Sequence, residues 1–350
     1  MTTRYAAADL EHFATSLFTA AGLDPDLATP VAHYLVTGDL MGHDTHGLAL
    51  ASWYLGHIAD GTILCSGVPE VLSDRGAAVA WRGHRLPGAY LAERAMHLAC
   101  DRAVDLGTCT VAVGDAHHIG ALAAYLTIAT DRGLMATIAS SSPSGAHVAP
   151  FGGLKGTLTP NPVAHGIPTL GEPILIDISA SITTYNMSQR LIREGRQLSG
   201  DWLMDAQGQT TRDPAVLNDG GTLLLTGGLD HGQKGYGMAL HVEALTQGLS
   251  GLGRADALVG TNCAFTVQVH DPEAFGGRDA FLRQTDWLAD ACHASPPRPG
   301  GKPVRLPGEA AQARLRAALA DGVVLYPGII DSLAGPAARL GVALPAPMQG

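Results

Sequence analysis

The chain has 350 residues, of which 46% are hydrophobic and 15% are charged, and its formal net charge is −10. This length allows a large buried core in one or two domains, and the acidic balance argues against binding to nucleic acid or to an anionic membrane surface. No apolar run approaches the roughly 18 residues of a membrane span, and the N-terminus MTTRYAAADLEHF does not resemble a signal peptide. The five scattered cysteines form no CxxC pair. We therefore expect reduced thiols in a cytoplasmic protein.

Helices are predicted for the first part of the chain. Apolar residues recur at helical spacing over residues 5–22, and Asp24-Pro25 is typical of an N-cap followed by proline at the first position of a second helix. A third helix is predicted after His46, through LALASWYLGHIADG. Residues 1–75 are thus expected to form an N-terminal helical segment on the substrate side or in a dimer contact.

From residue 77 onward, short β-rich runs alternate with helical stretches. The predicted strands are AAVAWRG, TCTVAVG, LMATIASS, PILIDIS, TLLLT and AFTVQVHDP, and one of the intervening helices is predicted over residues 120–133. This alternation predicts an α/β core with a largely buried mixed sheet, assigned to residues 76–295. Residues 296–350 predict a helix, a strand VVLYP and a last helix that pack back on the N-terminal segment. No GxGxxG follows the first strand, so a nicotinamide cofactor would need loops other than those of a Rossmann fold.

The segment GHDTHG, residues 42–47, concentrates proton-handling groups and allows three interpretations. His43 and His46 could share a helix face and bind a metal, but no HExxH or cysteine cluster supplies a third ligand. Asp44 or Thr45 could cap the next helix. Alternatively, His46 could be catalytic, because a helix N-terminus lowers the pKa of a nearby imidazole, with the Thr45 hydroxyl orienting it.

Four other polar positions are candidates for a site. AHHIG (116–120) follows a predicted strand, where ligands collect in α/β sheets, although loop histidines are often simply solvated. Lys234 in QKGYG can reach a phosphate or a carboxylate, or it can be a solvated charge. Asp177 could bind a ribose hydroxyl or cap the helix that follows it. Asn161, between two prolines, indicates a rigid turn.

Taken in order, these segments resemble the malate/L-lactate dehydrogenase family over residues 5–340. GHDTHG is similar to the family's G-x-x-S-H-G, and HHIGALAAY is similar to its H-x-G loop, with His118 and Gly120 on the two fixed positions. VAPFGG and NPVAHGIP are similar to VAPFGG…GTNP. DWLMDAQGQTTRDP, QKGYGMAL and RLPGE are similar to the W-x-x-D-x-x-G-x-x-T-x-D-P block, the H-K-G-Y-G block and the start of the C-terminal helix.

The resemblance implies a homodimeric enzyme with a family-specific, non-Rossmann NAD(P)-binding fold and a small-molecule substrate. NADH or NADPH would lie between domains and exchange hydride with C2 of a 2-oxo acid, a 2-hydroxy acid or a cyclic imine. His118 would handle the proton with His46 as its close partner, and Thr45 stands where the family has serine. His117 inherits no role and is expected to be solvated.

The same matching assigns further positions, and it implies no metal site. Leu50 and Ser142 fall on substrate positions. The expected cofactor-contacting positions are Leu122, Asn161, Asp177, Ile178, Ser179, Lys234, Gly235, Thr261 and Asn262.

Several polar positions depart from the family pattern. Leu50 stands where an arginine usually grips a substrate carboxylate bidentately, Asn186-Met187 replaces Gly-Lys, and Gln233 replaces a frequent histidine. We therefore expect an atypical substrate, in a specialised biosynthetic pathway. Two alternatives stay open, namely the same scaffold used for non-redox isomerisation or cyclisation, and a non-catalytic binding protein. The sequence decides neither NAD against NADP nor the direction of reaction.

Overall fold

A computed structural model describes residues 3–258 and 260–349 of the chain. The helices are labelled in chain order over these ranges. They are α1 (Ala7–Ala20), α2 (Pro25–Met41), α3 (Ala51–Ala59), α4 (Gly88–Leu106), α5 (Thr127–Thr130), α6 (Tyr185–Arg193), α7 (Gly228–His231), α8 (Gln233–Glu243), α9 (Arg278–His293), α10 (Glu309–Asp321) and α11 (Ile329–Leu340). None of the described helices is long and apolar enough to cross a membrane.

The strands form a mixed seven-stranded sheet and a small antiparallel sheet. They are β1 (Glu70–Asp74), β2 (Ala78–Arg82), β3 (Thr108–Ala116), β4 (Met135–Ser141), β5 (Val163–Ile167), β6 (Ile174–Ile178), β7 (Leu203–Met204), β8 (Thr210–Thr211), β9 (Thr222–Leu223) and β10 (Cys263–His270). The large sheet has the order β1-β2-β3-β10-β4-β5-β6, and the small one β8-β7-β9. In the large sheet β2 and β3 are parallel and the other neighbours antiparallel. The predicted mixed sheet is confirmed.

The pairing of these strands gathers particular chain ends at one edge of the sheet. Cys263, the first residue of β10, lies opposite Ala116 at the end of β3, and Ala264 lies opposite Ser141 at the end of β4. Because β6 is antiparallel to β5 and β5 to β4, the end of β6 near Ile178 lies at this edge too. The loops that follow β3, β4 and β6 therefore share one face of the molecule with the start of β10.

The N-terminal helices follow the sequence prediction closely. α1 and α2 are present, and Pro25 occupies the first turn of α2, although the Asp24 side chain makes no capping hydrogen bond. Their apolar faces join the large sheet in the main hydrophobic core, which also receives Leu333 from α11. A smaller core lies between α6, α8 and the small sheet.

Two predicted elements differ from the structure, and some strands of the structure were not predicted. The helix expected over 120–133 is a 3₁₀ turn, Leu122–Tyr125, followed by the single turn of α5. VVLYP is not a strand, and only Val323 forms an isolated bridge, with Tyr5. β1 and β5 were not predicted, because β1 is an exposed edge strand and β5, VAHGI, lacks a β-rich apolar pattern.

Candidate active site

The two histidines singled out by the sequence lie together in one cavity. His46 belongs to the turn after α2, and His118 is the second residue after the end of β3. Both line a cavity of about 560 Å³, a size typical of small-molecule sites. Their rings are stacked at 24°, with centroids 6.0 Å apart. The fold therefore brings two imidazoles that are far apart in the chain to one place.

A buried carboxylate, that of Asp39, fixes the turn that carries His46. α2 ends at Met41, and the next residue, Gly42, adopts φ +84°, a conformation that favours glycine. Asp39 accepts the Leu48 N–H at 2.8 Å, so Asp39 caps the next helical turn in place of the predicted Asp44 or Thr45. A side chain at Gly47 would clash with the Asp39 carboxylate, because its Cβ would lie 2.2 Å from Oδ1. This close approach holds the peptide next to His46 in place.

The guanidinium of Arg190 fixes the same turn. Arg190 on α6 donates to Asp44 Oδ1 at 2.9 Å and to the Asp44 carbonyl oxygen at 2.7 Å. Its guanidinium carbon lies 3.8 Å from the centre of the Tyr326 ring. Because Arg190 is only 7% exposed, this bidentate contact is partly shielded from water. It joins the turn to α6 and to the C-terminal segment.

His46 is bonded to its neighbouring threonine. Thr45 Oγ1 lies 2.8 Å from His46 Nδ1, so the other ring nitrogen, Nε2, is left for a ligand. Burial, reinforced by the nearby His118, lowers the pKa of His46 to about 3. The His46 imidazole is therefore neutral near pH 7.

His118 is bonded through the same ring atom. Its Nδ1 accepts the Gly120 N–H at 3.3 Å and lies 2.9 Å from the Tyr54 hydroxyl oxygen. Tyr54 Oη also lies 3.2 Å from the His118 carbonyl oxygen. Burial lowers the pKa of His118 to about 4. His118 is thus also neutral near pH 7, with Nε2 remaining for a ligand.

The expectation that His117 is solvated was wrong. His117 has no exposed surface, and its Nε2 lies 2.8 Å from His57 Nδ1 on α3. Because β3 runs through the core, the residue just after its end points inward while His118 lines the cavity. Burial lowers the pKa of His117, so the ring is neutral and is part of the packing behind His118.

Most of the predicted site residues line this cavity. Asp177 accepts the Ala123 N–H at 3.0 Å, so it joins the end of β6 to the 3₁₀ turn and does not cap α6, whose cap is Thr184. Burial raises the pKa of Asp177. Ser142 donates to the Asn262 carbonyl oxygen at 2.8 Å. The predicted residues on the cavity wall are Thr45, His46, His118, Leu122, Ser142, Asp177, Ile178, Ser179, Thr261 and Asn262.

Four predicted residues are not on the described cavity wall. Leu50 packs against the main hydrophobic core. Asn161 is fully buried, and its amide donates to Ala239 and to Glu243. Lys234 is exposed, and Gly235 packs behind the wall.

The start of α8 nevertheless adjoins the cavity. The Gly235 N–H donates to the Thr226 carbonyl oxygen at 3.1 Å, and the Thr226 hydroxyl donates to the Ser179 carbonyl oxygen at 3.0 Å. Gly235 is thus connected through Thr226 to Ser179 on the cavity wall, and its chain neighbour Lys234 is exposed.

Several site residues gave no sequence signal. His147 and Tyr185 line the cavity with their rings stacked 4.0 Å apart, although they are distant in the chain. Tyr54 lies on a helix whose pattern indicates ordinary core packing. Arg190 lies on a helix whose charges indicate a solvated face. Each of these residues can be assigned to the site only from its tertiary contacts.

The cavity suits a dinucleotide in its chemistry as well as its size. Ser140, Ser141 and Ser142 line it together with Asp177. The first turn of α6, at Thr184 and Tyr185, also faces it, and the positive end of a helix dipole suits a phosphate. These residues fit a nicotinamide dinucleotide and could hold it.

A family model described as malate/L-lactate dehydrogenase matches residues 5–334 of the chain. The chain belongs to the malate/L-lactate dehydrogenase family. The resemblance inferred from the motifs is thereby confirmed, and so is the assignment to a family of dehydrogenases and reductases.

Relatives in this family act on different substrates. The chain is 27% identical to a malate dehydrogenase of Pyrococcus abyssi over 95% of this chain and 94% of that protein. It is 29% identical to a Delta(1)-pyrroline-2-carboxylate/Delta(1)-piperideine-2-carboxylate reductase of Pseudomonas syringae pv. tomato, over 91% of each chain. The solved malate dehydrogenase of Pyrococcus horikoshii OT3 superposes with a TM-score of 0.88 at 26% identity, covering 98% of this chain and 97% of that one.

Proposed function

We propose that the protein is an NAD(P)H-dependent oxidoreductase that reduces a C=O or C=N group of a 2-oxo acid or a cyclic imine, or oxidises the corresponding 2-hydroxy acid. The observation that carries this proposal is the stacking of His46 and His118, 6.0 Å apart, in one cavity of the family fold. Retention of both imidazoles argues for catalysis in preference to a non-catalytic binding role.

The two imidazoles would manage the proton while the bound nicotinamide supplies or accepts the hydride. Oxidation of an alcohol requires a neutral base, and burial keeps His118 neutral near pH 7. In the reverse direction His118 must first take up a proton, and it then donates its Nε2 proton to the developing oxyanion or to the nitrogen of an imine. Because burial lowers the pKa of His118, this direction is favoured at lower pH. His46, held by Thr45 at 2.8 Å, would donate a hydrogen bond to the same atom.

The charge of the cavity wall limits how much negative charge the substrate can carry. No lysine or arginine is among the described residues that line the cavity, and the Arg190 guanidinium is turned to Asp44 and Tyr326. Met187, at a position where the family usually has lysine, contributes a thioether. A substrate with two negative charges would find no permanent cation there, so we propose an atypical substrate with at most one carboxylate.

The cofactor would be held by loops at the edge of the sheet, without a GxGxxG turn. Its expected contacts on the cavity wall are Leu122, Asp177, Ile178, Ser179, Thr261 and Asn262. Lys234 and Gly235, at the start of α8, are expected contacts outside that wall. NADH and NADPH both stay candidates.

The domain division and the dimer are part of the same proposal. Tyr5 and Val323 exchange backbone hydrogen bonds of 3.0 and 2.8 Å, which supports packing of residues 296–350 against residues 1–75 around the core 76–295. β1, at the end of residues 1–75, is a strand of the large sheet, so this N-terminal segment is joined to the core. Trp287 on α9 is 68% exposed, and a second copy of the chain would cover it.

Nucleotide binding tests the proposal. NADH and NADPH are titrated into the protein while nicotinamide fluorescence is followed, and turnover is then assayed with pyruvate, phenylpyruvate and a cyclic imino acid. We expect saturable binding of at least one nucleotide and turnover of at least one substrate. Failure of both nucleotides to bind at millimolar concentration would refute the redox proposal and favour isomerisation or cyclisation on the same scaffold.

A further inference from the structure

The hydroxyl group of Tyr54 occupies a position that no motif predicts. Tyr54 lies on α3 with 3% of its surface exposed. Its oxygen is 2.9 Å from His118 Nδ1 and 3.2 Å from the carbonyl oxygen of the same residue. A phenolic hydroxyl can donate one hydrogen bond and accept others, so this single group serves two atoms of His118.

We infer that Tyr54 is a positioning residue that sets the tautomer of His118 by rotating its hydroxyl hydrogen between these two atoms. The inference rests on the proposed role of His118 as proton donor and acceptor. It adds a residue that the sequence analysis did not identify.

In the first arrangement Nδ1 of His118 is an acceptor. The Tyr54 O–H and the Gly120 N–H both donate to it, at 2.9 and 3.3 Å. The ring proton then lies on Nε2, and an Nε2–H faces the cavity. This form can donate a hydrogen bond to a substrate carbonyl or imine, but it cannot accept a proton from an alcohol.

In the second arrangement Nδ1 of His118 is a donor. The Tyr54 hydroxyl turns its hydrogen to the His118 carbonyl oxygen and accepts from Nδ1–H. This arrangement costs the 3.3 Å hydrogen bond from the Gly120 N–H, which then has no acceptor on the ring. Nε2 then presents a lone pair, takes the hydroxyl proton of an alcohol as the hydride leaves C2 for the nicotinamide, and becomes an imidazolium. The imidazolium keeps the same Nδ1–H bond to Tyr54, and the reverse reaction returns the Nε2 proton to the substrate.

The surroundings favour this role for a neutral phenol. Burial raises the pKa of Tyr54 above its ordinary value of 10, so the hydroxyl keeps its hydrogen. The titratable groups around the pair are His46 across the cavity, His117 beside His118, Cys263 and the buried Tyr125. Tyr54 therefore provides the Nδ1–H of His118 with a neutral acceptor in place of the carboxylate that often orients a catalytic histidine.

The variant Tyr54→Phe removes one oxygen and keeps the ring. The Gly120 N–H, a donor only, then faces Nδ1, so the base form and the imidazolium lose their acceptor. We expect kcat to fall about tenfold or more in both directions, because hydrogen bonds to charged groups are the stronger ones. The solvent deuterium isotope effect on kcat should rise, and nucleotide affinity should stay within a few-fold.

The matched control is Tyr34→Phe. Tyr34 is also buried, and its hydroxyl donates to Glu93 at 3.2 Å, away from His118. It should leave kcat and the isotope effect unchanged. Wild-type kcat together with an unchanged isotope effect in Tyr54→Phe would overturn the inference.

A readout that needs no turnover separates this inference from the proposed function. The protein is labelled with ¹⁵N-histidine, and His118 is assigned through His118→Gln. At pH 7 the wild-type Nδ1 and Nε2 shifts should show both tautomers in exchange, whereas Tyr54→Phe should show the Nε2–H tautomer alone. A wild-type spectrum with only the Nε2–H tautomer would overturn the inference even if Tyr54→Phe failed to fold, and mixed tautomers in a protein that binds no nucleotide would refute only the redox proposal.

Discussion

The substitution Asp39→Asn should stabilise the protein relative to wild type more at pH 8 than at pH 5. Asp39 lies beneath the turn that carries His46, and its Oδ1 is buried with no hydrogen-bond partner among the described atoms. Burial, opposed by the Leu48 N–H, raises the pKa of Asp39 from 3.8 to about 7. Asparagine keeps an acceptor for Leu48 and removes the charge.

The magnitude follows from the linkage between proton binding and folding. Below pH 3.8 Asp39 is protonated in both the folded and the unfolded state, and its contribution to stability is fully present. Between pH 3.8 and about 7 only the folded state holds the proton, so stability falls as the pH rises. One pKa unit corresponds to about 1.36 kcal/mol, so the ionisation of Asp39 removes about 2–3 kcal/mol of stability between pH 5 and pH 8.

Urea unfolding at pH 5 and pH 8, followed by tryptophan fluorescence, measures this difference. The free energy of unfolding of Asp39→Asn minus that of wild type should be about 2–3 kcal/mol more favourable at pH 8 than at pH 5. Asp26→Asn removes an exposed carboxylate from the first turn of the same helix, and it should show no such dependence. An equal difference at both pH values would show that the Asp39 carboxyl is hydrated and would refute the reasoning.

Three predictions concern catalysis directly. His118→Ala should lower kcat by about 10²–10⁴ with nucleotide affinity retained, and a loss of only a few-fold would contradict its role in proton transfer. Arg190→Met should lower kcat about tenfold, because the turn 43–46 loses its bidentate contact. Arg193→Met, at an exposed position on the same helix, should not lower it. Equal rates in the two variants would show that the contact of Arg190 is dispensable. Met187→Lys should shift kcat/KM toward oxaloacetate over pyruvate about tenfold, since a cation would then line the cavity, and an unaltered ratio would place Met187 away from the substrate.

The order of helices and strands could largely be read from the sequence, because each depends on local periodicity. α1 and α2 show helical spacing, and the runs that became β3, β4 and β10 are β-branched and buried on both faces. The helix expected over 120–133 failed, since Leu122 and Tyr125 pack into the core and the segment forms a 3₁₀ turn and the single turn of α5 instead of one continuous helix. β1 failed because an exposed edge strand needs no apolar pattern.

The sequence by itself determined the family and ten residues of the cavity wall, the two histidines among them, since these reside in short motifs whose residues stay together in the chain. Only the tertiary structure decided what surrounds the histidines. Tyr54 reaches His118, Arg190 reaches Asp44, and Leu50 turns to the core instead of the cavity, through contacts between segments that no local pattern relates. A ring's tautomer and pKa depend on desolvation and on the atoms placed against its nitrogens, and those atoms come from other parts of the chain.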